Sequence, residues 1–406
     1  MTEMNSPSKE SPQSFVALAL SGGGSRAMAF HLGCLRALHD RGLLDRVRIV
    51  STVSGGSVIG ACLTYWGVDF LEFDRRIVRI LRKGFNGSIA RSVFCSVETP
   101  KILATLVCTA IPALVLGAAR FGLRLIRLVT SLRTNPIENW LALQSRSLPI
   151  WGSLTTAFEH ALKRDVFGKT NLPDVKLPGM EMIINACDLR TGTAFRFGSK
   201  VSGGWRYGRI LGNEILVAKA VAASAAFPLL LPPLVEKFRF ERAGSLAVEK
   251  VVLTDGGVYE NLGVTVLEPG KDSDFSINSY PVTHIISLNA GPGQVSGDAS
   301  PFWWLSRMRQ SFETVHRKVQ EGAYSRLHRF VKSGELKGFG MVYLGQIDER
   351  LPFLPTDLVR REAVRDYPTN FAPMAQCDLD MLALRGEQLT HIIVDRYLSG
   401  ICVDSA

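Results

Sequence analysis

Three times in this chain an apolar run of strand length breaks into a glycine-rich turn that opens with a small polar residue. Phe15 to Leu20 is followed by Ser21-Gly22-Gly23-Gly24-Ser25-Arg26, Val47 to Val53 by Ser54-Gly55-Gly56, and Val251 to Thr254 by Asp255-Gly256-Gly257. Short apolar runs bounded by turn residues read as buried strands. In an open parallel sheet the loops that leave the carboxyl ends of strands share one edge, and ligands bind there. The three turns are therefore expected to converge.

Helical and strand-like segments alternate along the chain. Helices are predicted over Arg26 to Arg41, Ser57 to Trp66, Val217 to Ala226 and Phe302 to Lys332, and further strands over Met180 to Ala186, Thr193 to Phe197 and Thr283 to Asn289. This alternation predicts an α/β fold, a mostly parallel sheet with helices on both faces.

The turns differ in chemistry. A serine hydroxyl becomes a useful nucleophile when a sharp strand-to-helix turn holds it exposed, close to a base and to oxyanion donors. Ser54 has that setting, with Gly56 behind it. The backbone N–H groups of Gly22, Gly23 and Gly24 lie between a strand end and a helix start, where a developing oxyanion is best stabilised. Asp255 at the end of its strand is the candidate base, and Gly256 and Gly257 suit a backbone that passes close to the nucleophile. Each motif alone is weak, since Asp-Gly-Gly by itself marks a turn. The specificity lies in their joint occurrence and order.

With these residues in view, the chain resembles the patatin-like phospholipases. The resemblance rests on Gly22-Gly23-Gly24-Ser25-Arg26, Ser54-Gly55-Gly56 and Asp255-Gly256-Gly257, and extends through Val258-Tyr259-Glu260-Asn261-Leu262-Gly263 and Ala222-Ala223-Ser224-Ala225-Ala226-Phe227-Pro228. A weaker likeness reaches Asp366-Tyr367-Pro368-Thr369-Asn370-Phe371. It implies a three-layer α/β/α fold, a Ser54–Asp255 dyad, an oxyanion hole at Gly22 to Gly24, and hydrolysis of carboxylic esters of lipids of phospholipase A or lysophospholipase type. Arg26 is then expected to hold the oxyanion loop or to meet an anionic headgroup. One position departs from the family's G-x-S-x-G elbow: Thr52 stands where glycine is usual, and a β-branched residue narrows the turn's options.

Rival chemistries leave weaker traces. A Ser-His-Asp triad would draw on a histidine after the acid, namely His284, His316, His328 or His391, or on His31. His284 begins a strand instead of ending one, and His316 and His328 fall within the long helix. Gly22 to Ala27 satisfies G-x-G-x-x-A, but the next strand ends in Val53-Ser54 with no acid to meet a ribose. A non-catalytic lipid-binding or scaffold protein remains the alternative, against which stands the presence of both Ser54 and Asp255.

The chain has 406 residues, 46% of them hydrophobic, enough for one large domain over residues 15–400. The first 14 residues are polar and proline-containing, as in a disordered tail without a secretory signal. Seven scattered cysteines suggest neither a disulfide framework nor a zinc site, and no metal or cofactor is called for. A cytoplasmic setting fits. The net charge of +10 suits an anionic membrane surface, while no nucleic-acid-binding signature is present. Oligomeric state leaves no mark on the sequence.

An apolar and basic insertion spans about residues 85–135. Ile102 to Ala119 carries no charge and is long enough to be a membrane-span candidate, with Pro112 inside it. Arg120, Arg124 and Arg127 recur beyond it at helical spacing, followed by Arg133, as in an interfacial helix whose arginines reach for headgroups. Three readings are open: a buried core helix or lid, a helix or hairpin dipping into one leaflet, and a membrane anchor through about 102–130. The expected localisation is peripheral on a membrane.

Overall fold

The computed structural model describes residues 15–130, 134–147, 151–228, 230–272, 276–294, 297, 301–398 and 401. The expected N-terminal tail and Arg133 lie outside them.

The strands are β1 (Val16–Leu20), β2 (Val47–Val53), β3 (Glu181–Asp188), β4 (Thr193–Gly198), β5 (Gly203–Gly204), β6 (Gly208–Ile210), β7 (Leu234–Arg242), β8 (Ser245–Asp255), β9 (His284–Asn289) and β10 (Gly338–Tyr343). They form a single sheet in the order β10-β9-β1-β2-β3-β4-β5-β6-β7-β8. The first five in that order are parallel. Every residue of β1 is buried, as a strand must be when neighbours flank it and helices cover both its faces. Val16, Leu18 and Leu20 join one apolar cluster, and Ala17 and Ala19 the other.

The helices are α1 (Gly24–Asp40), α2 (Gly55–Tyr65), α3 (Phe70–Lys83), α4 (Asn86–Phe94), α5 (Glu98–Thr105), α6 (Ile111–Val129), α7 (Asn135–Ser147), α8 (Leu154–Leu162), α9 (Val217–Ser224), α10 (Trp304–Ser333), α11 (Arg361–Val364) and α12 (Gln376–Tyr397). α1, α2, α3 and α12 feed the larger cluster, while Ala323 and Leu327 of α10 with Leu262 to Leu267 fill the smaller one on the opposite face. The result is the expected α/β fold, with the sheet flanked by helices.

From β4 onward the sheet is antiparallel, which changes how the aspartate strand arrives. β8 runs against its neighbours, so Asp255 does not leave the carboxyl end of a parallel strand as expected. Val53, the last residue of β2, pairs with Asn185, and Asp255, the last residue of β8, pairs with the adjacent Ala186. Ala186, Cys187 and Asp188 also pair with β4, so β8 must occupy the edge of β3 that β2 uses lower down. β2 and β8 thus approach each other head to head along one edge of β3. The six strands from β3 to β8 close into a ring.

The insertion is a helical arm. α5 runs through a π-helical turn, Leu106–Ala110, into α6. Pro112 falls just after that wider turn, near the start of α6. There its missing N–H costs little, because the altered pairing no longer depends on it. Glu98–Val129 is long and apolar enough to cross a membrane; its most apolar window has a mean hydropathy of 2.3 and is 6% buried. The buried-core-helix reading therefore does not hold, because this helix packs little against the rest of the protein. α7 packs back on α6, and Glu138 of α7 pairs with Arg124 and Arg127, each at 3.4 Å. Two of the three arginines assigned to a membrane are thus engaged within the arm, and Arg120 Nε is shielded without a hydrogen-bond partner among the described residues.

Candidate active site

The elbow is sharper than its sequence suggests. α2 begins at Gly55 instead of Ser57, so Ser54 is the residue on which strand turns into helix. Its backbone has φ 52° and ψ −121°, and Ser54 and Ala243 are the two non-glycine residues with positive φ among those described. Such conformations cost on the order of 1–3 kcal/mol and persist where the surroundings fix them. The fixing contact here is Ser224, whose Oγ accepts the Ser54 N–H at 3.0 Å and donates to the Asn185 carbonyl at 2.6 Å. With its one hydroxyl hydrogen used, Ser224 accepts from Ser57 Oγ at 2.9 Å. α9 is thereby tied to the elbow.

Thr52 fits because α2 gives way. Its hydroxyl donates to the Ile183 carbonyl at 3.2 Å, and its methyl faces Gly60, where a Cβ would lie 2.6 Å from Thr52 Cγ2. The small residue that gives Thr52 room is Gly60, on the helix.

Asp255 is 2% exposed and Ser54 8%. The Ser54 side chain lies close enough to the Asp255 carboxylate to act on its ionisation, and the Gly257 N–H donates to Asp255 Oδ1 at 2.7 Å. Burial pushes the Asp255 carboxyl up to about 6, although Ser54 and the Gly257 N–H pull the other way. A buried carboxylate is costly because its charge loses hydration, and this one retains the Gly257 N–H donor.

Gly23 caps α1, and the N–H groups of Gly23 and Gly24 lie at the helix start, where donors have no intrahelical acceptor. Neither is paired elsewhere among the described residues. Gly22 differs from its expected role, since its N–H donates to the Asn261 carbonyl at 3.1 Å. It matters for space: a Cβ on Gly22 would overlap Asn261 Oδ1 and approach Ser54 Cβ to 3.0 Å. Gly55 and Gly56 likewise lie against the backbones of Gly24 and of Leu20 and Ser21. Gly256 crosses the Asn185 backbone, and Gly257 faces the Asn261 side chain.

Arg26 is buried, with Nε on the Ala290 carbonyl at 3.1 Å and Nη1 on the Tyr367 carbonyl at 2.9 Å. Burial lowers its pKa to about 10, with Tyr343 and Asp366 partly offsetting. Both bonds go to backbone carbonyls of neighbouring loops, which supports the loop-holding role. The Ser25 N–H donates to the Asn370 carbonyl at 2.7 Å, so the segment from Asp366 to Phe371 braces the same loop.

Among the described residues no histidine hydrogen-bonds Ser54 or Asp255. His31 is fully buried, its Nε2 at 3.2 Å from the Leu288 carbonyl and its pKa pushed by burial to about 3. His284 meets Thr283, His391 accepts from Arg41, and His328 lies edge-on to Phe339. His316 comes nearest: burial lowers its pKa, while the neighbouring Gly257 backbone and the charge of Glu313 act oppositely, and its Nε2 lies 2.9 Å from Gln320 Nε2. No group of three His, Cys, Asp or Glu side chains among the described residues is placed to hold a metal ion.

Sequence reasoning missed Ser224 and Asn261 as neighbours of the site, and set His316 aside because it falls within the long helix. The first two lie inside quoted motifs. Nothing local could bring His316 to the site, because its helix reaches it through tertiary packing.

A large mixed sheet flanked by helices, with a serine elbow and a buried carboxylate brought together on one strand, places the chain in the α/β class. The model of the family described as "Patatin-like phospholipase" matches residues 18–267, more than half of the chain, and the chain belongs to that family. Human GIVD cytosolic phospholipase A2 is a similar solved structure, with 13% identity and a TM-score of 0.50, covering 96% of this chain and 62% of its own. VipD from Legionella pneumophila has 15% identity and a TM-score of 0.39, covering 95% of this chain and 67% of its own. The type III effector ExoU has 13% identity and a TM-score of 0.34, covering 95% and 53%. The chain thus spans roughly half to two thirds of the length of these proteins. No curated protein matches the sequence significantly.

Proposed function

We propose that the chain is a lipid acyl hydrolase of the phospholipase A or lysophospholipase type, working through a Ser54–Asp255 dyad. The observation that carries this reading is the buried Asp255 carboxylate brought by strand register to the strained elbow at Ser54, beside the open start of α1. Ser54 Oγ attacks the ester carbonyl carbon and its proton passes to Asp255. The carbonyl oxygen gains the negative charge and is met by the N–H groups of Gly23 and Gly24. Collapse expels the alcohol, which takes the proton from Asp255 and leaves acyl-Ser54. A water molecule then gives its proton to Asp255 and attacks the acyl carbon. Release of the fatty acid returns the proton to Ser54.

The raised pKa makes Asp255 a better base than a free aspartate near ~4 while keeping it ionised at neutral pH. Arg26, Gly56, Gly256 and Gly257 are supporting residues that hold loops in register. The exposed α5–α6 arm, with Arg120, Arg124 and Arg127 along it, supports peripheral attachment to an anionic membrane on the cytoplasmic side. The test is hydrolysis of a panel of phospholipids, lysophospholipids, glycerides and acyl thioesters by wild type and by Ser54→Ala. Ser54-dependent release of fatty acid is expected, and hydrolysis that survives Ser54→Ala would overturn the dyad.

A further inference from the structure

α10 has two halves of different character. Its C-terminal half is anchored, with Ala323 and Leu327 fully buried and Tyr324 accepting from the Asn289 side chain at 2.5 Å. Its N-terminal half stands out from the protein. Phe302, Trp303 and Trp304 are 90%, 80% and 68% exposed, and Leu305, Met308 and Val315 are exposed as well. Soluble surfaces rarely present so many large apolar side chains on successive turns unless something covers them.

The charge on this half points to what covers it. Arg307, Arg309, Arg317 and Lys318 lie between Phe302 and Val319, with Glu313 as the acid among them. Tryptophans flanked by arginines, on a helix with an apolar side, are what the boundary between headgroups and acyl chains selects: the indole is amphipathic and the long basic side chains reach the phosphates.

The exposed half is also continuous with other apolar surface. Phe312 packs edge-on against Phe227, with ring centres 6.4 Å apart, in the segment that leaves α9. That segment meets the start of α8 through Thr155 and Pro232. Gly152, just before α8, abuts Lys101 and Ile102 of α5. Leu230, Trp151 and Leu154 are exposed along this path. One turn beyond Phe312, His316 comes near the Gly257 backbone, whose N–H holds Asp255.

The geometry points to the N-terminal turns of α10, Phe302 to Phe312, as a docking element for an anionic lipid surface, one that seats the mouth of the Ser54–Asp255 site on the bilayer. This inference rests on the lipid-hydrolase reading for the purpose of the docking, and it is independent of it for the binding. Trp304 is twelve residues before His316, which at the rise of an α-helix places the aromatic tip about 18 Å along the axis from the dyad loop. The helix is then a strut between membrane and base.

The test compares wild type with Trp303→Ala/Trp304→Ala. Both side chains are exposed, so the fold does not depend on them. Flotation with vesicles of phosphatidylglycerol and phosphatidylcholine, hydrolysis of the vesicle lipid, and hydrolysis of a water-soluble short-chain ester are measured together. The expected result is a loss of vesicle partitioning and vesicle hydrolysis of roughly tenfold or more, with soluble-ester hydrolysis unchanged. Partitioning and vesicle hydrolysis equal to wild type would overturn the inference. So would a wild-type dimer that the double variant splits while vesicle binding persists, since the face would then belong to a second copy. If wild type hydrolyses no ester at all, the lipid-hydrolase reading falls, and flotation alone decides the docking.

Discussion

Val53 and Asp255 end their strands opposite neighbouring residues, Asn185 and Ala186, on one edge of β3. Ser54, the next residue after Val53, is delivered to the carboxylate by sheet register and not by a flexible loop. Ser54 and Asp255 are therefore held by backbone pairing on both sides, and the proposed dyad can be probed by small side-chain changes that leave the sheet intact.

Ser54→Ala should abolish labelling by a fluorophosphonate probe and reduce ester hydrolysis by orders of magnitude, because Ser54 is the hydroxyl that acts on Asp255. Circular dichroism checks that the variant is folded. Labelling that persists places the nucleophile elsewhere.

Asp255→Asn should also lower the rate by orders of magnitude, since an amide cannot accept the serine proton. Single replacements of His31, His284, His316, His328 and His391 should each cost far less. A histidine variant as damaging as Asp255→Asn would replace the dyad with a triad, and His316, beside Gly257, is the one to watch.

The pKa of Asp255 sets two pH responses. Activity should fall on the acid side with a single-proton limb near pH 6, as the base becomes protonated. Stability runs in the opposite sense. The folded pKa lies above the unfolded value of about 3.9, so the native state holds the proton more tightly and stability declines as pH rises from there to about 6. Removing that ionisation in Asp255→Asn should raise stability relative to wild type by roughly 3 kcal/mol between pH 3.5 and 7.5. Urea denaturation at the two pH values measures the difference; a gap that does not widen with pH would show that the carboxyl is not raised.

Ser224→Ala removes the acceptor of the Ser54 N–H and the donor to the Asn185 carbonyl together. Leaving such buried groups unpaired costs about 1–3 kcal/mol each, and the strained elbow is expected to relax. Loss of stability by thermal denaturation should come with a fall in kcat larger than any change in KM. Unchanged kcat would mean that Ser224 does not hold the nucleophile.

Gly60→Ala sets a methyl against Thr52 Cγ2, and overpacking of this kind costs about 1–3 kcal/mol. Thr52→Ser in the same chain removes Cγ2 and should restore most of the stability. Additive effects of the two changes, measured as a double-mutant cycle, would rule out the contact between Thr52 and Gly60.

Much of the site was legible because its signals are local. An apolar run that stops at Ser54-Gly55-Gly56 or at Asp255-Gly256-Gly257 carries both the strand and the turn in a few residues. The direction of β8 was not legible, since an apolar run reads the same whichever way its neighbours point. Its length was hidden too: Ser245 to Val248 are exposed, so only the buried end, Val251 to Asp255, looked like a strand. α12 escaped notice because it carries polar residues inward. Arg385, fully buried in it, donates to the carbonyls of Leu344, Val359 and Gln346 and pairs with Asp348 at 2.9 Å. Gly22 illustrates a finer limit, for no spacing could tell that its N–H is spent on Asn261 while those of Gly23 and Gly24 are left open.

The head-to-head meeting of β2 and β8 also has a consequence for synthesis. A ribosome delivers Ser54 long before Asp255, and the ring that turns β8 back onto β3 needs every strand from β3 onward. A nascent chain halted before β8 would carry the elbow without its base, so the hydrolase should remain silent until most of its length has emerged. Fluorophosphonate labelling of ribosome-stalled chains ending before and well after Asp255 would time the onset, and labelling of the shorter chains would refute a late assembly.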